Sequence, residues 1–226
     1  MIRIGWYGDL STADNVRKRF LFKLDDYKEK FEIDEKIESD LPSIYFSNLI
    51  REIYEKYKQE VVVLIDDCYK PILDRLHNFQ EAKEIQRTVL DANSILKSSP
   101  HLKFTFLISD MAITPGNIFG SLNYLLNISL HKDYANICGF TQKDVEELFA
   151  EYNADVDLKK IKEWYNGYYW FKDELYNPYD IINYIIHNYQ YDEYSCYEYS
   201  LPVITEVMKK QNYFLPDLAL GIINST

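Results

Sequence analysis

An α/β fold, with a thin parallel sheet flanked by helices and a mostly helical second half, is predicted by three features of this sequence. Val61-Val62-Val63-Leu64-Ile65 is an unbroken apolar run of strand length, as a strand buried on both faces of a parallel sheet requires. Strand-like runs near residues 2–7, 61–65 and 102–108 alternate with stretches of helical periodicity, the signature of a parallel α/β sheet. From about Tyr124 onward strand signals give way to helical spacing and abundant tyrosine. The expected units are therefore 1–123, the α/β core, and 124–226, a Tyr-rich helical subdomain.

Each element has its own local reason. Ile2 to Tyr7 reads as the first strand, closed by Gly8-Asp9. Ser11 or Thr12 can cap a helix from Ala13 toward Phe31, with Val16, Phe20, Leu24, Tyr27 and Phe31 at helical spacing. A charged connection follows, and Pro42 then opens a helix with Ile44, Tyr45, Leu49, Ile50, Ile53, Tyr54 and Tyr57 apolar. The central strand comes next. Pro71 sits at the first turn of a long helical pattern, Ile72 to Leu96, with Leu73, Leu76, Ile85, Val89 and Ile95 as core candidates. Pro100 breaks it, and Leu102 to Ile108 forms a third strand ending in Ser109-Asp110.

In the second half Thr141 caps a helix whose first turn carries Asp144, with Val145, Leu148, Phe149 and Tyr152 facing inward. A short helix near 158–165 leads into the aromatic segment Trp164 to Phe171. Asn177-Pro178 starts a helix through His187, and Leu201-Pro202 another through Lys210.

A net charge of -11 argues against general nucleic-acid or membrane-surface binding, because phosphate contacts need clustered Lys and Arg. Cys68, Cys138 and Cys196 are odd in number and widely spaced, which disfavours a disulfide framework or a zinc site. Neither a signal-peptide pattern nor an apolar run of membrane-spanning length occurs, so a soluble, cytoplasmic protein is expected.

The central strand ends abruptly in Asp66-Asp67. Ligands of open α/β sheets sit outside the carboxyl ends of the strands. Asp66 there could hold a Mg²⁺ ion on a nucleotide, and Asp67 could polarise an attacking water or share the metal. In the alternative, Asp66 caps the next turn and Asp67 is solvated. Asp110 is the one further acid that topology brings close. A phosphate cradle needs a Gly-Lys pair, yet the seven glycines precede Trp6, Asp9, Asn117, Ser121, Phe140, Tyr168 and Ile222. His77, His101, His131 and His187 are scattered, with no nucleophile or metal pattern around them.

From the central strand onward these residues resemble the predicted AAA-ATPase-like family, whose members often carry a PD-(D/E)XK nuclease-like domain at the carboxyl end. The family's second nucleotide motif, roughly LIDEYDKP, stands here as Leu64-Ile65-Asp66-Asp67-Cys68-Tyr69-Lys70-Pro71. Its FVFLTGVSKFS and IFSGLNNL segments stand as Phe104 to Thr114 and Ile118 to Leu125. WYNGY is intact as Trp164 to Tyr168, followed by Asn177-Pro178. The resemblance implies an incomplete P-loop-NTPase-like sheet, with Mg-ATP as cofactor, Asp66 on the metal and Asp67 in the place of the water-polarising glutamate.

Departures cluster at the chemistry. The family's phosphate-loop strand and helix would precede Ile2, which predicts a chain truncated before its second strand. Asp67 is one methylene shorter than the family's glutamate, and Tyr69 replaces a later Asp. Ile108, Ser109, Met111 and Ala112 replace Thr, Gly, Ser and Lys. No PD…(D/E)XK pattern appears. Three readings follow: a degenerate ATPase module without autonomous hydrolysis, half of a split ATPase completed by a phosphate-loop-bearing partner, or an interaction module. In the last, an exposed sheet edge and the Tyr-rich half would mediate partner binding or self-association.

Overall fold

A computed structural model describes residues 1–109, 125–129, 131–152, 156–171 and 173–195. The chain divides into two compact units, Met1–Leu125 and Leu126–Thr226. The expected helix at 201–210, Asp110, Met111, Ala112 and Cys196 lie outside the described residues.

In the first unit β1 (Ile2–Ile4), β2 (Val61–Ile65) and β3 (Leu102–Leu107) form a parallel sheet in the order β1-β2-β3. The register places Ile2 beside Val63 and Ile4 beside Ile65, with Thr105 and Leu107 beside the same two β2 residues. Side chains alternate across a strand. One sheet face therefore presents Ile2, Ile4, Val61, Val63 and Ile65, all buried. They join one cluster with Val16, Phe20 and Leu24 of α1 (Ala13–Lys30), Phe46, Leu49 and Ile50 of α2 (Pro42–Tyr57), and Ile85 and Val89 of α4 (Phe79–Ser94). The opposite face carries Arg3, Val62, Leu64, Phe104 and Phe106. Burial of β2 is thus unequal: Val62 and Leu64 are only half-buried, where burial on both faces is expected from the run.

Caps account for the helix starts. The Thr12 side chain accepts the Asn15 N–H at the head of α1, and Pro42 stands in the first turn of α2. Ile44 and Tyr57, core candidates by periodicity, are exposed, and Phe46 is buried instead. The single helix expected from Ile72 to Leu96 is broken. α3 (Lys70–Leu73) ends at once, and α4 begins afresh at Phe79 because the Asn78 side chain accepts the Glu81 N–H. A short 3₁₀ turn, Ile95–Lys97, follows.

The second unit begins with a 3₁₀ turn, Lys132–Tyr134. α5 (Gln142–Glu151) starts in a full capping box between Thr141 and Asp144. Val145 and Phe149 are buried as the spacing predicts, whereas Tyr152 is exposed. α6 (Leu158–Tyr165) then runs into a hairpin of β4 (Asn166–Trp170) and β5 (Asp173–Tyr176), which Phe140 extends by an isolated bridge to Tyr176. The hairpin is an addition to the helical half: the aromatic run has strand propensity, and the turn follows Phe171, whose φ is 58°. α7 (Pro178–Ile186), capped by Asn177, closes the described fold. Among the described residues no helix is long and apolar enough to cross a membrane.

Candidate functional site

The site is built at the carboxyl ends of β1 and β2. β2 ends at Ile65, but pairing continues for one residue: the Asp66 N–H donates to the Ile4 carbonyl at 2.8 Å. Arg3 lies beside Leu64 in the parallel register, so Arg3, Leu64 and Asp66 share the open face of the sheet. There the Arg3 guanidinium donates to Asp66 Oδ2 at 2.7 Å. That hydrogen bond and the charge behind it raise the Arg3 pKa above its ordinary value. The pair is solvent-exposed, so its stabilisation is small. Its consequence is chemical: the carboxylate placed to receive a metal already has a cation against it.

Asp67 departs from the strand. Its φ of 52° puts it in the left-handed region, which Asp tolerates better than branched residues. The Asp67 carbonyl accepts the Lys70 N–H at 2.8 Å, starting the turn into α3. The Cys68 N–H donates to the Ile108 carbonyl at 2.9 Å, while the Ile108 N–H donates to Ile65 at 2.8 Å. These two bonds bind the acid-bearing turn to the end of β3. Asp66 and Asp67 are adjacent in sequence, yet one stays in the ladder while the other enters the turn. Asp66 does not cap that turn.

Around them the chemistry is quiet. Cys68 is buried, and desolvation pushes its thiol up to about 12, so it is an inert packing residue. Burial likewise pushes Tyr69 up to about 12. In the loop after β1, Gly8 has φ 85°, and a Cβ there would stand 2.7 Å from the Arg19 guanidinium. Asp9 accepts the Ser11 N–H at 2.8 Å and the Asn15 side-chain amide at 2.7 Å. The Ser11 hydrogen bonds hold its carboxyl below the usual range, which makes Asp9 the anchor of that loop.

Among the described residues no group of three or more His, Cys, Asp or Glu could hold a metal ion. The histidines do not converge on the acids: His101 stacks on Tyr54 at 4.3 Å, His187 stacks on Tyr194 at 4.9 Å, and the His131 ring accepts the Asp133 N–H. Arg3 is the residue missed by motif reading. Its signal was the alternation Ile2-Arg3-Ile4, which turns the arginine away from the buried face.

A family model described as "Predicted AAA-ATPase" matches residues 2–119, just over half of the chain. The match takes in β1 and α1 and ends before the WYNGY segment. An uncharacterized protein in the vnfD 5′ region of Azotobacter chroococcum mcd 1 is 36% identical over 138 residues, covering 61% of this chain and 27% of that protein. The chain thus spans about a quarter of the length of that curated relative. No solved structure matches.

Proposed function

The chain belongs to the predicted AAA-ATPase family, and on that premise we propose that these 226 residues form a degenerate ATPase module that neither binds nor hydrolyses Mg-ATP by itself. The observation that carries this reading is the Arg3–Asp66 contact at 2.7 Å. A metal at Asp66 has to displace a guanidinium before it meets a full negative charge. The residues present therefore do not fit a Mg-nucleotide on their own. Two sequence features support the same reading: none of the seven glycines precedes a lysine, and Asp67 reaches one methylene less far than the glutamate it resembles. A shortfall near one ångström at a water-positioning group costs on the order of 10²-fold in rate.

Isothermal titration of the chain with Mg-ATP tests the proposal. No heat is expected in the micromolar range, and micromolar binding overturns it. A second reading makes these residues one half of a site completed by another polypeptide that brings a phosphate loop. The open outer edge of β3 favours it, since a further strand has a place to pair there. In that case Mg-ATP binding emerges only when both polypeptides are present.

A further inference from the structure

We propose that two copies of this chain pair antiparallel through the outer edges of β3, and that the Tyr27 hydroxyl, by sealing β1, stops the assembly at two. This inference does not depend on the nucleotide reading.

The two edges of the sheet are treated differently. On β1 the Ile4 carbonyl bonds the Asp66 N–H, so Ile2 and Ile4 face β2 while Arg3 turns its backbone groups outward. Both are taken. The Arg3 N–H donates to the Tyr27 hydroxyl oxygen at 2.8 Å, and that hydroxyl donates to the Arg3 carbonyl at 2.9 Å. One side chain from α1 closes the outer ladder of a three-residue strand.

On β3 the Ile108 N–H and carbonyl both bond toward β2, to Ile65 and Cys68. By alternation Thr105 and Leu107 direct theirs outward. Among the described residues no strand pairs with that edge. Phe104 and Ile108, on the open face, are 54% and 46% exposed, and the Phe104 and Phe106 rings stack at 6.1 Å. Natural edges are blunted by prolines, charges or bulges. Here the bulge falls at Lys103, which leaves 104–109 uncharged and without proline.

That stretch complements itself. A two-fold axis at Phe106 sets Thr105 opposite Leu107 of the second copy, where the outward groups exchange hydrogen bonds. It also sets Phe104 opposite Ile108, covering the two most exposed apolar side chains of the strand. Each Lys103 then faces a serine, Ser109, rather than another lysine. No acid lies between His101 and Ser109, so the strongly negative net charge is not concentrated at the contact. Such pairing is isologous and consumes the open edge of each copy. With β1 sealed, the product is a closed dimer rather than a growing sheet. A contact this short gives a dimer that dissociates on dilution.

Sedimentation velocity of the full chain, from low to several hundred micromolar, reads the outcome. A monomer–dimer equilibrium is expected for the native chain. Thr105→Pro removes only an outward N–H, which an edge strand tolerates. It should give a monomer with an unchanged circular dichroism spectrum. Phe104→Lys, in case proline disturbs the fold, should weaken association at least tenfold. Tyr27→Phe should carry assembly beyond two copies. A native chain that stays monomeric throughout overturns the proposal, as does a dimer that survives both β3 substitutions. Tyr27→Phe halting at dimers removes the sealing role.

Discussion

The α/β half and the helical half bury different chemistry. The first packs side chains such as Ile2, Val16, Phe20, Leu49 and Ile85, with its tyrosine hydroxyls at the rim: Tyr27 on Arg3, Tyr45 on Asp25 and Tyr57 on the Phe31 carbonyl. The second has a cluster of seven buried residues, three of them tyrosines: Tyr165, Tyr176 and Tyr184. Their hydroxyls are used inside. Tyr176 donates to the Gln142 side chain, and Tyr165 accepts the Asp192 N–H at 3.2 Å. One half is held by aliphatic area, which no proton can alter. The other also needs its phenols to keep their protons.

The largest expected effect tests the aliphatic side of this contrast. Phe20 stacks on Trp6 at 5.8 Å and meets the Phe46 ring edge-on at 5.5 Å, at the centre of the α/β core. Phe20→Ala should cost about 3–5 kcal/mol in urea unfolding followed by circular dichroism. Tyr176→Phe, which keeps the ring and removes one hydrogen bond, should cost only about 1 kcal/mol. Equal losses from the two would show that hydroxyls and apolar area carry similar weight, and the contrast would fail.

Alkaline pH probes the other side. Burial, the largest cause in each case, raises the pKa values of Tyr165, Tyr176 and Tyr184. The folded helical half therefore holds these protons more tightly than the unfolded chain does. Its stabilisation is complete below tyrosine's ordinary value of about 10 and is lost as pH rises through the higher folded values. With Trp6 and Trp170 replaced by Phe, Trp164 emission reports this half alone. Its denaturation should become easier at each step above that ordinary value, whereas Phe20→Ala should cost the α/β half the same at neutral pH as at mildly alkaline pH. A helical half indifferent to alkali would mean that its tyrosines pack as phenylalanines do.

How much of this was legible in the sequence follows the same division. The aliphatic elements read well because period and burial agree: Val16, Phe20 and Leu24 recur at helical spacing and all face the core. Caps were legible too, since Thr12, Thr141 and Asn177 act through their own nearby backbone. What failed was decided by competition. Local hydrogen bonding at Asn78 divided the helix expected from Ile72 to Leu96. The aromatic run after Trp164 found a pairing partner in Asp173–Tyr176, which no local pattern announces. At the candidate site Asp66 and Asp67 were readable as strand-end acids. The Arg3–Asp66 contact was not, because it joins residues 63 positions apart through a parallel register.

The smallest expected effect asks whether Asp67 is kept for its backbone or for its side chain. At φ 52° a Cβ is disfavoured by about 1–2 kcal/mol, and glycine escapes that cost. Glycine also has more freedom to lose on folding, by about 0.5–1 kcal/mol relative to alanine. The two terms nearly cancel, so Asp67→Gly should shift thermal stability by less than about 0.5 kcal/mol. Asp67→Val meets the full steric cost and should lose about 1–2 kcal/mol. If glycine proves as damaging as valine, the carboxylate itself holds the turn between β2 and α3. The acid would then belong to the scaffold, and its likeness to a water-positioning group would have no chemical content.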